Sequence, residues 1–194
     1  MNTMTIKVAS LTSSIATTPI AQSQVAGAQD VWFSTYRFDA SDSGEDIRFS
    51  TVPYSAATPG NLSNCRLFDG PRNLTTGSNS VSTPAATGNF TFDSSLVVVK
   101  GTVKELNVKC NILSSATGSS NVGIGAGASI SATGVTSSNT VVVAGGAAVG
   151  QTMTIGVGSV VISNDASSPS LSTVAGGGSG VTLGVWKLRS TNES

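Results

Sequence analysis

The stretch Glu105-Leu106-Asn107-Val108-Lys109-Cys110-Asn111-Ile112-Leu113 places apolar side chains at 106, 108, 110 and 112 and polar ones between them. Successive side chains of an extended chain point to opposite faces, so this alternation is a strand with one face in a core. Glu105, Asn107, Lys109 and Asn111 then lie on its wet face. The same period of two recurs in Asn64-Cys65-Arg66-Leu67, and no segment carries the 3.6-residue period of a helix. Reading outward, strands are predicted at 4–8, 31–38, 47–52, 64–68, 89–92, 96–99, 105–113, 121–125, 140–144, 151–157, 160–163 and 181–188. Turn signals separate them, among them Thr58-Pro59-Gly60-Asn61, Asp69-Gly70-Pro71, Thr83-Pro84 and Gly176-Gly177-Gly178. Many short strands at close spacing predict an all-β sandwich or barrel.

The 32 Ser, 23 Thr and 22 Gly fill 77 of 194 positions, while only 10% of residues are charged and 39% are hydrophobic. That is enough apolar matter for a core and too little charge for the usual disordered composition. Ten basic and ten acidic residues cancel, with no basic patch to hold phosphates, so nucleic acid is not an expected partner. The absence of His removes the commonest general base and the usual Ser-His-Asp and Cys-His arrangements. No Gly-x-Ser-x-Gly elbow stands in a catalytic setting, and no enzyme is expected. No membrane span is expected either, because no run of about 18 apolar residues occurs. The first residues lack the pattern of a signal peptide, yet the Ser/Thr-rich, Lys/Glu-poor composition is that of secreted β-proteins. An extracellular, cell-surface location is expected, with the export signal outside this sequence.

Cys65 and Cys110 both fall on core-facing positions of alternating segments. Two readings are open: a disulfide between packed strands, or a pair of inert buried thiols. A bridge closing a loop of roughly 45 residues contributes about 3–4 kcal/mol by the chain-entropy argument.

An internal repeat spans both ends. Met4-Thr5-Ile6-x-Val8-x-Ser10 returns as Met153-Thr154-Ile155-x-Val157-x-Ser159, and Val25-Ala26-Gly27 returns as Val174-Ala175-Gly176, each at an offset of 149. One inserted residue later, Val31-x-Phe33-x-x-Tyr36-Arg37-Phe38 returns as Val181-x-Leu183-x-x-Trp186-Lys187-Leu188. A period of this size is a whole domain, so the pattern predicts one repeat at 1–149 and the opening strands of a following repeat at 150–194. Such an opening piece is too small to fold alone. Either it packs back on the first domain or it donates strands to a neighbour, and in the second case Val181, Leu183, Val185, Trp186 and Leu188 are the anchors.

The segments Val31-Trp32-Phe33-Ser34-Thr35-Tyr36-Arg37-Phe38-Asp39-Ala40-Ser41, Asn64-Cys65-Arg66-Leu67-Phe68-Asp69-Gly70 and Leu106-Asn107-Val108-Lys109-Cys110-Asn111-Ile112, followed by Ser114-Ser115-Ala116-Thr117, resemble tandem repeats of very large Ser/Thr-rich surface proteins of uncultured small-genome bacteria. In that family a KFKFTATxED strand, an xLKLYDG strand and turn, and an LTVKADIsssAT strand follow in this order, and the likeness spans most of residues 4–125. The resemblance implies an Ig-like antiparallel β-sandwich, exported and structural or adhesive, and carries no activity. Cys65 and Cys110 depart from the family pattern, at two positions that should face one another.

Asp39, Asp42, Glu45 and Asp46 gather four carboxylates around Gly44. A solvated acidic loop is one reading and a calcium site the other, since hard oxygen ligands suit Ca²⁺; the spacing is not that of an EF-hand. No other cofactor is expected. Between Asn111 and Trp186 only Asp165 is charged, a surface suited to packing between subunits. These features predict a non-enzymatic structural protein that joins copies of itself head to tail by β-strand complementation into a filament, surface layer or stalk. The alternative is an adhesin module that binds cell-surface glycans through its loops.

Overall fold

The computed structural model describes residues 7–156, 158–170 and 173–191, which fall in two compact units, one ending at Gly156 and one following it. Among the described residues the first holds thirteen strands: β1 (Leu11–Ile15), β2 (Gln22–Val25), β3 (Val31–Asp39), β4 (Ile47–Ala57), β5 (Leu62–Asp69), β6 (Arg72–Asn73), β7 (Thr87–Val98), β8 (Val103–Ile112), β9 (Gly118–Ile124), β10 (Ala132–Gly134), β11 (Thr140–Val141), β12 (Val143–Ala144) and β13 (Met153–Gly156). The second holds β14 (Ser159–Asn164) and β15 (Trp186–Thr191). The fold is all-β. Among the described residues no helix is long and apolar enough to cross a membrane.

In the first unit β12-β1-β3-β8-β5-β6 form one sheet. The other runs β11-β10-β4-β9-β13-β2, with β7 on the far edge of β4. The alternation of residues 105–113 survives intact in β8: Leu106, Val108, Cys110 and Ile112 are buried, and the residues between them reach solvent. Phe33, Tyr36 and Phe38 of β3 meet Phe49 of β4 and Phe90 of β7 in one continuous core between the sheets. The Phe38 and Phe49 ring centroids lie 4.9 Å apart, a tilted contact favoured by the ring quadrupoles. Tyr36 donates to the Gly123 carbonyl at 2.7 Å, a polar tie from β3 to β9. Burial pushes its hydroxyl well above the usual tyrosine value, so it remains a protonated donor.

Period two breaks once in β3, where Phe33, Ser34, Thr35 and Tyr36 are all buried. A register shift between Trp32 and Ser34 marks a bulge there, which re-aims the strand. Trp32 stays at the surface and its ring N–H donates to the Ser34 carbonyl and the Thr35 hydroxyl, both at 3.1 Å.

Cys65 and Cys110 form a disulfide, 45 residues apart in sequence, with both residues buried. They sit on β5 and β8, neighbours in one sheet, so the bond runs across a strand pair inside the sheet. The pairing shifts register between Ser63 and Arg66, which brings Cys65 opposite Cys110.

Most strand pairs are antiparallel, as expected, while β1 pairs with β12 and β2 with β13 in parallel. Several expectations need correction. The segments expected at 89–92 and 96–99 are one strand, β7, whose pairing to β4 shifts register between Phe49 and Thr51. Residues 181–185 precede β15 and are not strand. β1 and β2 were not expected at all: Leu-Thr-Ser-Ser-Ile and Gln-Ser-Gln-Val are too polar to announce strands, and they form because strands distant in sequence offer them hydrogen bonds. The first copy of the Met-Thr-Ile motif, at residues 4–6, lies outside the described residues.

The first compact unit ends at Gly156, beyond the 149/150 boundary read from the repeat. Met153 and Ile155 are the cause, since both are buried in the first unit, where β13 pairs with β9 on one side and β2 on the other. The chain reaches β13 through Gly150, packed so closely that a Cβ there would overlap the Val122 carbonyl.

Candidate assembly surface

β14 and β15 pair antiparallel, and their register repeats one already seen. In the first unit Thr12 stands opposite Asp39, Ser13 opposite Phe38, Ser14 opposite Arg37 and Ile15 opposite Tyr36. In the second unit Val161 stands opposite Arg189, Ile162 opposite Leu188, Ser163 opposite Lys187 and Asn164 opposite Trp186. Adding 149 to the first member of each pair and 150 to the second converts one set into the other. The β14–β15 hairpin therefore repeats the register of the β1–β3 pair, with the likeness in sequence carried by β3 and β15.

What differs is its surroundings. Leu11, Ser13, Tyr36 and Phe38 are buried. Their counterparts Val160, Ile162, Trp186 and Leu188 are 63%, 63%, 65% and 67% exposed. In the first unit β8 pairs along the free edge of β3; among the described residues β15 has β14 as its sole strand partner. The hairpin thus offers two things at once: an apolar face built on the pattern of a sandwich core, and a row of unpaired main-chain donors and acceptors along β15. Those are the requirements for strand addition, in which main-chain bonds give affinity and alternate side chains give register. Trp186 is the largest of these anchors, and Trp is enriched among residues that dominate interfaces.

Of the five anchors expected from the sequence, Trp186 and Leu188 share this face of β15. Val181, Leu183 and Val185 lie on the segment leading into it, and Leu183 is 87% exposed. Val185 is held at the hairpin mouth, its N–H donating to the Ser168 hydroxyl at 2.8 Å and its carbonyl accepting from the Asp165 N–H at 2.9 Å. The Asp165 carboxylate accepts from the Ser167 hydroxyl and N–H, bonds that hold its pKa below the ordinary range. Val160 and Ile162 were read as strand but not as anchors; adding the repeat offset to Leu11 and Ser13 finds them.

The acidic loop is not gathered around one point. The Asp39 carboxylate accepts from the Ser41 hydroxyl and N–H and lies 3.4 Å from Arg37. Glu45 turns to the segment joining β10 to β11, accepting from the N–H groups of Thr136 at 2.8 Å and Ser137 at 2.9 Å and from the Ser137 hydroxyl at 2.6 Å. Asp46 accepts from the Lys100 N–H, in the turn between β7 and β8, and Asp42 is exposed. Among the described residues no three of His, Cys, Asp and Glu stand where they could share a metal ion. Two of the four carboxylates instead fasten the β3–β4 loop to neighbouring turns.

The bonds from Ser137 and Thr136 lower the pKa of Glu45. A depressed folded-state value contributes stability above the unfolded-state value and loses it as pH falls through the folded one. Glu45→Gln is therefore expected to lower the urea midpoint of the first unit at neutral pH. The gap to the unaltered chain should close on acidification below the ordinary glutamate range, and a gap independent of pH would contradict this.

No family model matches the chain, and no curated protein matches it.

Proposed function

We propose that this chain is a structural module of an extracellular tandem array, built on Ig-like domains and assembling head to tail by strand complementation. The reading rests on one observation: the β14–β15 hairpin reproduces the register of β1–β3 while its core-type face stands exposed. An isolated two-stranded hairpin is marginal in water, so this one gains stability when a further strand pairs with β15 and a second sheet covers Val160, Ile162, Trp186 and Leu188. A neighbouring copy offers both. Because each copy donates from one end and accepts elsewhere, the contact is heterologous and propagates into a filament or layer instead of closing into a dimer. The long neutral stretch from Asn111 to Trp186 suits this role, since little charge has to be desolvated when copies pack. The buried Cys65–Cys110 disulfide fits an oxidising compartment.

Sedimentation velocity and negative-stain microscopy provide the test. The intact chain is expected to assemble with rising concentration, and Ile162→Ser with Leu188→Ser is expected to abolish assembly while the first unit melts unchanged. Assembly undiminished by the two substitutions, or a monodisperse monomer that binds glycans on an array, would overturn the reading.

A further inference from the structure

The outer face of the sheet that holds β3, β8 and β5 carries a cleft whose hydrogen-bond donors the fold leaves unused. Its volume is about 490 Å³, and its walls include Asn64 and Arg66 of β5, Asn73 of β6, Thr76 and Ser80 beyond it, and Asn111 of β8. Asn64 takes a left-handed φ of 47° where the β5 register shifts, a conformation that asparagine tolerates better than most residues, and it stands exposed there.

Two of the amide oxygens are committed to the chain. Asn73 Oδ1 accepts from the Thr75 N–H at 3.0 Å, and Asn111 Oδ1 accepts from the Asp30 N–H at 3.0 Å. Their amino groups, that of Asn64 and the Ser80 hydroxyl donate to nothing among the described residues. On the rim, Asp93 has its oxygens occupied by the Thr76 N–H and hydroxyl and by the Asn79 amide. What remains for a ligand is a set of donors, so the complementary ligand is rich in acceptors.

The charges agree. Arg66 has Asp30 as its ion-pair partner, while its Nε is shielded from water with no hydrogen-bond partner. The guanidinium has thus lost hydration that the fold does not replace, a deficit that an anion beside it offsets. Lys109 stands opposite Arg66 in the register, and among the described residues no carboxylate lies within ion-pair distance of it. Both cations are held over the Phe68 ring, Arg66 at 5.6 Å and Lys109 at 5.0 Å from its centroid. Trp32 follows on the other side of Lys109, 37% exposed, its ring held by bonds to the Ser34 carbonyl and the Thr35 hydroxyl.

We propose that this face binds an acidic carbohydrate, a polysaccharide of uronic-acid units. The carboxylate of one unit lies against Arg66 and Lys109, its hydroxyl oxygens accept from Asn64, Asn73 and Asn111, and the apolar face of a neighbouring unit rests on Trp32. A sugar fits better than an acidic peptide because neutral donors outnumber cations and a flat, fixed ring ends the row. The site lies within the first unit and does not depend on assembly. A filament that binds no sugar would overturn this proposal alone, and a monomer that binds sugar would overturn the assembly reading alone.

Calorimetric titration of the full chain with hexagalacturonate, hexamannuronate, maltohexaose and hexaglutamate tests it. One of the two uronate hexamers is expected to bind at least about tenfold more tightly than maltohexaose or hexaglutamate. Arg66→Gln should weaken that binding at least about tenfold. Asn111→Asp keeps an acceptor for the Asp30 N–H but sets a negative charge in the cleft, and it should weaken binding at least about tenfold as well. Lys104→Gln, which removes a cation paired to Asp69, should leave it unchanged. Where Arg66→Gln also lowers the melting temperature, Asn111→Asp decides. Failure of both uronates to bind at millimolar concentration, equal binding of maltohexaose or hexaglutamate, or affinity untouched by Asn111→Asp would each overturn the proposal.

Discussion

Truncating Met153 to alanine is expected to destabilise the first unit by about 2–5 kcal/mol, whereas Leu188→Ala is expected to change it by less than about 0.5 kcal/mol. Both are large apolar side chains on strands of the sequence repeat, and the repeat alone assigns both to the second domain. Burial separates them. Met153 is fully enclosed between β9 and β2, and removing its side chain leaves a cavity that the flanking strands, fixed on both sides, cannot collapse to fill. Leu188 is 67% exposed, so its truncation removes few contacts. Urea melting followed by the near-ultraviolet signal of the buried Tyr36 and Tyr54 checks both. Equal effects of the two substitutions would place the boundary of the folded unit elsewhere than Gly156.

Cys65→Ala together with Cys110→Ala is expected to destabilise the first unit by about 3–4 kcal/mol, the denatured-state entropy released when a loop of this length is no longer closed. The bond lies between adjacent strands of one sheet and both partners are buried, so the alanine pair also gives up packing around two sulfurs. Incubating the intact chain with dithiothreitol before melting should reproduce most of the loss. The double alanine variant should be indifferent to the reductant. A variant as stable as the oxidised chain would mean that the β5–β8 pairing already orders the denatured ensemble. In that case the bond would be a consequence of the fold and not a support for it.

Strands with clean alternation, such as β8, were legible because a half-buried strand writes its two faces directly into the residue order. β1, β2 and β10 were not. Ser13, with 2% exposure, is a serine on the core side of β1, and its hydroxyl donates to the Ala144 carbonyl at 3.1 Å. A polar residue satisfied that way gives no hydrophobic signal. The disulfide was half legible: alternation turned both cysteines inward, but only the register shift in β5 brings them opposite each other. The acidic cluster left two readings open, a solvated loop or a calcium site, because proximity in sequence does not say whether side chains converge in space. Glu45 and Asp46 are adjacent, yet Glu45 reaches the segment between β10 and β11 and Asp46 the turn between β7 and β8. The repeat was legible at β15, where Trp186, Lys187 and Leu188 answer Tyr36, Arg37 and Phe38 of β3, but the match of β14 to β1 was not. Nor was the phase of the repeat. A repeat read from sequence can be cut at any point of its period, and only burial shows that β13 belongs with the strands before it.

The two parallel pairs, β1 with β12 and β2 with β13, bear on how such a domain carries load. In each, a strand from the beginning of the domain runs beside one from its end and in the same direction. Tension drawn along β13 toward its C-terminal end, resisted by the body of the domain, shears all four register pairs to β2 together. An antiparallel terminal hairpin would instead unzip one bond at a time. Rupture in shear needs simultaneous failure, and resistance to pulling is set by the rate of that event and not by equilibrium stability. A molecule assembled from such domains would hold tension at its joints even where each domain is only ordinarily stable.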